Sequence, residues 1–154
     1  MENIVVALTN YPVIYSIDLA FDKMDYLTGI ILLNIGSASF LSHLIENHKH
    51  GMPGIGFSSS TSYYLNRWDV ISCILVAIRF GYLYWKKYDC NMTTLIKNKS
   101  MIFEFVFAMV ILHLSECDRY NPKLKYMYII LHGTWHLKIF NLLYHFLDKV
   151  IYTN

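Results

Sequence analysis

The sequence predicts an all-α fold, a polytopic bundle of about five transmembrane helices. Hydrophobic residues make up 55% of the 154-residue chain and charged residues only 16%, against a usual charged share of about 25%. The mean hydropathy is +0.34. A soluble domain of this size exposes too much surface to carry so many apolar side chains, so we expect a bilayer to surround the chain.

Five stretches are apolar and long enough to be spanning helices, which need roughly 17–25 residues. The sequence shows no internal repeat and no separate soluble segment, so residues 1–154 are expected to form a single transmembrane domain. The predicted spans are approximately 3–21, 25–46, 68–86, 100–117 and 126–150.

Several residues modify these spans. Pro12 and Asp18 interrupt the first span, which predicts a kink that a neighbouring helix can compensate. Its start lacks a basic region and a cleavage site, which indicates a retained segment instead of a signal peptide. Small residues at 36–39, "GSAS", favour close approach of another helix. Arg79 and Glu104 interrupt the third and fourth spans and could pair there.

The composition excludes several function classes. A net charge of +2 without an arginine-rich stripe argues against nucleic-acid binding, and "GMPGIG" lacks the lysine of a phosphate loop. The three cysteines show no CxxC spacing, so they predict no thiolate metal site. The lysine and arginine tallies of the two membrane sides nearly balance, so they assign no orientation.

Polar residues inside the predicted spans form a pattern. His132 and His136 in "HGTWH" lie four residues apart, as do Ser39 and His43 in "SFLSH", and Asp69 opens the third span. Residues four apart share one helix face. With five spans, these five side chains fall in the same leaflet. Ionisable groups inside spans are costly and usually functional.

Three neutral imidazoles with one open position are the ligands of a catalytic zinc site, which His43, His132 and His136 could supply. Zinc lowers the pKa of a bound water to about 7. A carboxylate such as Asp69 can then move the proton, and a hydroxyl such as Ser39 can stabilise an oxyanion. The implied reaction is hydrolysis of an amide or ester whose substrate arrives from the lipid.

The order SxxxH, Asp and HxxxH resembles the CREST superfamily of membrane hydrolases, which includes alkaline ceramidases, progestin and adipoQ receptors, GPI-remodelling proteins and myomaker-like proteins. The resemblance implies that His43, His132 and His136 bind zinc, that Asp69 is a proton shuttle and that Ser39 supports the water or oxyanion. It also implies a membrane lipid substrate, a sphingolipid or another acyl amide or ester. Relatives usually have seven spans. Five is also an odd number, so the span ends that carry the three motifs would still lie on the same side of the membrane. We favour a multi-pass endomembrane location.

Other interpretations of the same residues are open. "HGTWH" is also typical of an interfacial helix, Asp69 could cap the third span, and Ser39 could bond to its own helix backbone. A metal-bearing but non-catalytic role in signalling, fusion or structure is the alternative function. Haem binding by paired histidines is a third hypothesis, in which Ser39 and Asp69 would have no role.

The remaining histidines are interpreted separately. His113 and Glu116 end the fourth span on the side of the predicted site and are expected to be an outer pair that supports the ligands, or an interfacial pair. His145 lies nine residues beyond His136, about 180° around the helix, so it is directed elsewhere. His48 and His50 are expected to be solvated loop residues.

Overall fold

The computed structural model describes residues 2–45, 50, 52, 54–55, 58–89 and 91–153. Among them there are helices and connecting turns but no strand. The all-α prediction is therefore confirmed for this part of the chain. The helices are α1 (Glu2–Leu8), α2 (Val13–Asp22), α3 (Tyr26–Ile45), α4 (Ser59–Tyr88), α5 (Met92–Lys97), α6 (Lys99–Ser115) and α7 (Lys125–Phe146). A 3-10 turn, Pro122–Leu124, precedes α7, and a π-helical turn, Leu147–Ile151, follows it.

Membrane-spanning capacity is clearest in the first half of the chain. Within the described ranges, Glu2–Asp22, Tyr26–Ile45 and Ser59–Tyr88 are long and apolar enough to cross a membrane, which indicates a membrane protein. The fourth and fifth predicted spans are occupied by α6, with 17 residues, and α7, with 22. The count of five spans stays a prediction.

The first spanning stretch is broken where the sequence predicts. Pro12 has no N–H to donate to a helix, and it lies in the turn between the last residue of α1, Leu8, and the first residue of α2, Val13. The amides of residues 9–11 bond instead to the carbonyls of residues 6–8, over 3.1–3.2 Å. The turn therefore keeps its backbone hydrogen bonds within an apolar surrounding, where unsatisfied ones are costly.

The start of α4 differs from the prediction. The third span was predicted at 68–86, but the helix already begins at Ser59. The Ser58 side chain accepts a hydrogen bond from the Thr61 amide at 3.2 Å, the usual N-cap contact. The serine-rich stretch before the predicted span therefore provides the N-cap and the first turn of a longer helix.

The helices form an open arc. The broken helix α1–α2 packs against both α3 and α7, while α4 packs against the other side of α3 and α6 against the other side of α7. Helices α4 and α6 thus stand at the two ends of the arc and do not pack against each other along their described lengths. A cleft between these two helices follows from this order.

The apolar core lies in the half of the bundle where α2 ends and α3 begins. A Cβ on Gly36 would approach the Val13 Cγ1 atom to 2.8 Å, so the absence of a side chain lets α2 approach α3 closely, as the small-residue patch predicts. The core consists of Val13 and Ala20 from α2, Leu32 and Ile35 from α3, Val76, Phe80 and Leu83 from α4, Phe140 from α7, and Leu147.

A polar cluster ties the ends of the helices together beyond this core. Arg79 of α4 forms an ion pair with Asp25 over 2.7 Å and donates to the Thr28 hydroxyl over 2.8 Å. The Tyr152 hydroxyl donates to the other Asp25 oxygen over 3.1 Å. The predicted pairing of Arg79 with Glu104 was therefore wrong, because Glu104 lies on the exposed face of α6.

Candidate metal centre

Three histidines from two helices meet in the interior. His43 lies in the last turn of α3, and His132 and His136 lie one turn apart on α7. One ligand nitrogen from each lies within 4.8 Å of the other two, and all three side chains are buried. The spacing of the histidines predicted this meeting, and the geometry is that of a group that could hold a metal ion.

The distance between the histidine nitrogens can be compared with that in a tetrahedral zinc site. Two nitrogens bound to zinc at about 2.0–2.1 Å with tetrahedral angles lie about 3.3–3.4 Å apart. The Nε2 atoms of His43 and His132 lie 3.3 Å apart. Without a metal, the same contact is a hydrogen bond from one imidazole to the other, and a cation would replace the shared proton. The separation of this pair is therefore that of two ligands of a tetrahedral cation, while the three nitrogens together lie within 4.8 Å of one another.

The packing of the rings bears on the haem hypothesis. The three ring centroids lie 4.7–4.8 Å apart with interplanar angles of 61–87°. A haem held by two of these histidines would need its planar macrocycle between them, and rings in edge-to-face contact leave no such space. The arrangement favours a single ion over haem.

The second nitrogen of His132 is held by two oxygens. Its Nδ1 lies 3.1 Å from the Ser115 hydroxyl and 3.4 Å from the Glu116 carboxylate. The Ser115 hydroxyl donates its own proton to the Leu112 carbonyl over 2.7 Å, so its oxygen accepts from His132. The proton of His132 therefore lies on Nδ1, and the Nε2 lone pair is directed toward the other histidines. Metal-bound histidines usually have such a carboxylate or oxygen partner.

His136 has a comparable contact on the opposite side of the site. Its Nδ1 lies 2.8 Å from the hydroxyl of Thr9, in the break between α1 and α2. Each of the two histidines of the candidate site on α7 is thus held from outside by a hydroxyl of another helical segment. Sequence reasoning missed both Thr9 and Ser115, because no spacing along the chain relates either residue to a histidine.

A cavity of about 1230 Å³ adjoins the histidines and occupies the cleft between α4 and α6. His43, His132 and Glu116 line it on one side, together with apolar side chains of α4, α6 and α7. The predicted residues Ser39, which is buried, and Asp69, which is partly buried, line the same cavity. The structure therefore brings all five predicted site residues to one region.

The position of Asp69 is supported by hydrogen bonds between α3 and α4. The Trp68 indole donates to the Asn34 side-chain oxygen over 3.1 Å, and the Asn34 amide donates to the Ser72 hydroxyl over 2.6 Å. These contacts fix the position of α4 along α3 immediately beside Asp69. Hydrogen bonds of this kind fix helix pairs in apolar surroundings.

Comparison with known proteins gives one family relationship. The chain is 47% identical over 152 residues to "Uncharacterized protein L282" of Acanthamoeba polyphaga mimivirus, which covers 99% of this chain and 100% of that protein. The chain belongs to the L282 family. No family model matches it, and no solved structure matches it.

Other sequence predictions for this L282 family member have mixed outcomes. Glu116 contacts His132, as one of the two interpretations held, but His113 of the same pair is exposed. The prediction for His50 was wrong: it is buried, stacks on Tyr128 and places Nδ1 3.0 Å from the Asn121 carbonyl. The reason is that His50 lies against the turn between α6 and α7, where its amide also donates to the Arg119 carbonyl over 2.6 Å. His48 lies outside the described residues.

Proposed function

We propose that this chain is a zinc-dependent membrane hydrolase of the CREST type that cleaves an amide or ester bond of a lipid. The observation that carries the proposal is the convergence of His43, His132 and His136 beside a largely apolar cavity that Ser39 and Asp69 also line. The resemblance of the SxxxH, Asp and HxxxH motifs supports it. A sphingolipid or another acylated lipid is the proposed substrate, and a multi-pass endomembrane protein the proposed setting.

Zinc is the proposed ion because of the donor set. Imidazole nitrogens suit zinc, copper, iron and nickel, and three of them with an open fourth position are typical of catalytic zinc. The 3.3 Å separation of the His43 and His132 nitrogens is that of a tetrahedral site. Bound zinc would supply a Lewis acid and lower the pKa of a coordinated water to about 7.

The protein residues would perform the remaining tasks. The Asp69 carboxylate would accept a proton at the start of the reaction and return it to the leaving amine or alcohol. The Ser39 hydroxyl would donate a hydrogen bond to the carbonyl oxygen as negative charge develops on it. Glu116 and Ser115 would keep the His132 ring in its binding orientation.

The substrate would enter the cavity through the opening between α4 and α6. Because α4 and α6 do not close on each other, the cavity opens toward the side of the bundle. Phe105 of α6 and Ile74 of α4 line the cavity from its two sides and are exposed apolar side chains. In a bilayer these side chains would face acyl chains, so a lipid tail could enter without crossing a polar surface.

The test joins metal analysis to lipid hydrolysis. Detergent-purified wild type, Asp69→Asn and the double variant His132→Ala/His136→Ala are assayed for zinc and for fatty acid released from a panel of ceramides and phospholipids. His145→Ala is the matched control, because His145 lies on the same helix, nine residues beyond His136.

We expect one zinc per chain in the wild type, in Asp69→Asn and in the control, and none in the double variant. Fatty acid release should fall by about 10²- to 10⁴-fold in Asp69→Asn, the range for loss of a general acid or base. A wild-type protein that binds no zinc would falsify the hydrolase proposal.

A structural metal is the second candidate function, and one observation favours it. The broken helix α1–α2 lies between α3 and α7, and the histidine cluster joins these two helices directly. A cation there would then stabilise the bundle. In that case the wild type binds zinc but releases no fatty acid from any lipid in the panel, and zinc removal lowers the midpoint of thermal unfolding.

A further inference from the structure

The partner of His136 comes from a part of the chain that the zinc motifs do not include. Thr9 follows the last residue of α1, in the turn that Pro12 imposes before α2. Its amide lies 3.3 Å from the Val5 carbonyl and 3.2 Å from the Val6 carbonyl. The backbone at Thr9 is therefore tied to α1, and its side chain has a defined direction toward α7.

The Thr9 hydroxyl has a single proton, and this proton is already used. The hydroxyl donates to the Val6 carbonyl over 2.5 Å. The same oxygen lies 2.8 Å from the Nδ1 atom of His136, so it can only accept there. His136 must then carry its proton on Nδ1, which leaves the lone pair on Nε2. The Nε2 atom is consequently the one available to a cation.

A second observation concerns the glycine of "HGTWH". A Cβ on Gly133 would approach the Thr9 Cγ2 atom to 3.0 Å and its hydroxyl oxygen to 3.8 Å. A side chain at this position would press on the Thr9 methyl group, so Thr9 would have to shift by a few tenths of an ångström. Glycine inside a helix costs about 1 kcal/mol relative to alanine, so its presence here is explained by the approach of Thr9.

We propose that Thr9 is a positioning residue for the metal site, which fixes the His136 tautomer so that Nε2 is the ring nitrogen that would bind the cation, and that Gly133 makes this contact possible. The inference rests on the metal site of the proposed function and is independent of the reaction that the site performs. Removal of such outer partners typically weakens metal affinity by 10- to 100-fold.

The experiment measures the zinc dissociation constant of the detergent-purified full chain by competition with a chelator. Thr9→Val keeps the shape of the side chain but removes the hydroxyl, and Thr9→Ser retains the hydroxyl. We expect zinc binding to be about 10- to 100-fold weaker in Thr9→Val and near normal in Thr9→Ser. Binding should also be weaker in Gly133→Ala, although alanine favours a helix more than glycine does. Equal affinity in wild type and Thr9→Val would overturn the inference.

A second measurement does not depend on zinc. In zinc-free protein with ¹⁵N-labelled histidine, the nitrogen spectrum reports which ring nitrogen of His136 carries the proton. We expect Nδ1 protonation in the wild type and in Thr9→Ser, and a mixture of tautomers in Thr9→Val. The same mixture in all three proteins would overturn the inference. If the Thr9 variants change zinc affinity and the His136 tautomer as expected but the wild type hydrolyses no lipid, only the proposed hydrolase function would be overturned.

Discussion

At the scale of the residue, the positions of hydroxyl and imidazole protons determine which ring nitrogens of the candidate site could bind a cation. Thr9 and Ser115 use the same device: each hydroxyl donates to a carbonyl three residues earlier in its own chain segment, at Val6 and Leu112. Each oxygen is then left as an acceptor for an imidazole Nδ1–H. Two hydroxyls from different helical segments therefore fix the tautomers of His132 and His136 so that Nε2 is the nitrogen that would bind a cation in each.

Glu116 adds a negative charge beside His132. A conservative substitution can test whether this charge strengthens zinc binding. Glu116→Gln keeps an oxygen that can accept from His132 but removes the negative charge that favours a nearby cation. We expect zinc affinity to fall by about tenfold, the lower end of the range for outer partners. Chelator competition measures this, with Glu104→Gln as the control, because Glu104 is an exposed carboxylate on α6, the helix that ends immediately before Glu116. An equal change in both variants would contradict the assigned role.

At the scale of the element, the site depends on close packing of the broken helix α1–α2 against α3 and α7. The break at residues 9–12 lets one spanning stretch contribute in two ways, because α2 packs closely on α3 while the turn before it presents Thr9 to α7. The close packing depends on Gly36, where any side chain would meet Val13.

Two glycines of neighbouring helices provide a matched comparison. A Cβ at Gly36 would lie 2.8 Å from the Val13 Cγ1 atom, whereas a Cβ at Gly81 of α4 has no atom within 4 Å. We expect Gly36→Ala to destabilise the protein by about 1–3 kcal/mol through overpacking. Gly81→Ala should stabilise it by up to about 1 kcal/mol through helix propensity. Thermal unfolding in detergent distinguishes the two, and the same sign of change for both would contradict the packing argument.

The whole molecule is an arc that is closed at the helix ends by polar contacts and open between α4 and α6. The cluster of Asp25, Thr28, Arg79 and Tyr152 holds the start of α3, the middle of α4 and the C-terminal turn together. Because α4 has no extensive contact with α6, this cluster and the α3 interface keep α4 in place. The cavity beside the histidines depends on that position.

The Asp25 cluster predicts a dependence of stability on pH. Burial alone would raise the pKa of Asp25, but hydrogen bonds from Thr28 and Tyr152 and the charge of Arg79 outweigh it and hold the pKa below its ordinary value of 3.8. A carboxylate with a lowered pKa contributes stability above its ordinary pKa, and this contribution is lost as the pH falls through the folded value.

We therefore expect Asp25→Asn to lower the free energy of unfolding at neutral pH by about 1.5–3 kcal/mol, as for the loss of hydrogen bonds to a charged group. The difference from the wild type should shrink below pH 3.8. The exposed Asp18 gives the control, Asp18→Asn, which should show little effect. Thermal unfolding as a function of pH is the measurement, and a constant difference down to the lowest pH would contradict the assignment.

Part of the site could be predicted because helix geometry is local. Four-residue spacing puts His132 and His136 on one face in any helix, and the five predicted crossings would place His43 and Asp69 at the same level. The break at Pro12 follows from the missing N–H in the same way. The contacts of Thr9 with His136, of Ser115 with His132 and of Arg79 with Asp25 join residues of different helical segments. No pattern along the chain encodes them.

The sequence by itself determined the apolar helices, the faces on which the histidines lie and the common level of the polar residues, because these depend on periodicity and length. Only the tertiary structure decided which helices are neighbours, that the arc stays open between α4 and α6, and that two hydroxyls hold the histidines on α7. The physical reason is that packing between helices depends on shapes far apart in the chain, such as Gly133 against Thr9. A helix period specifies a face but not what that face meets.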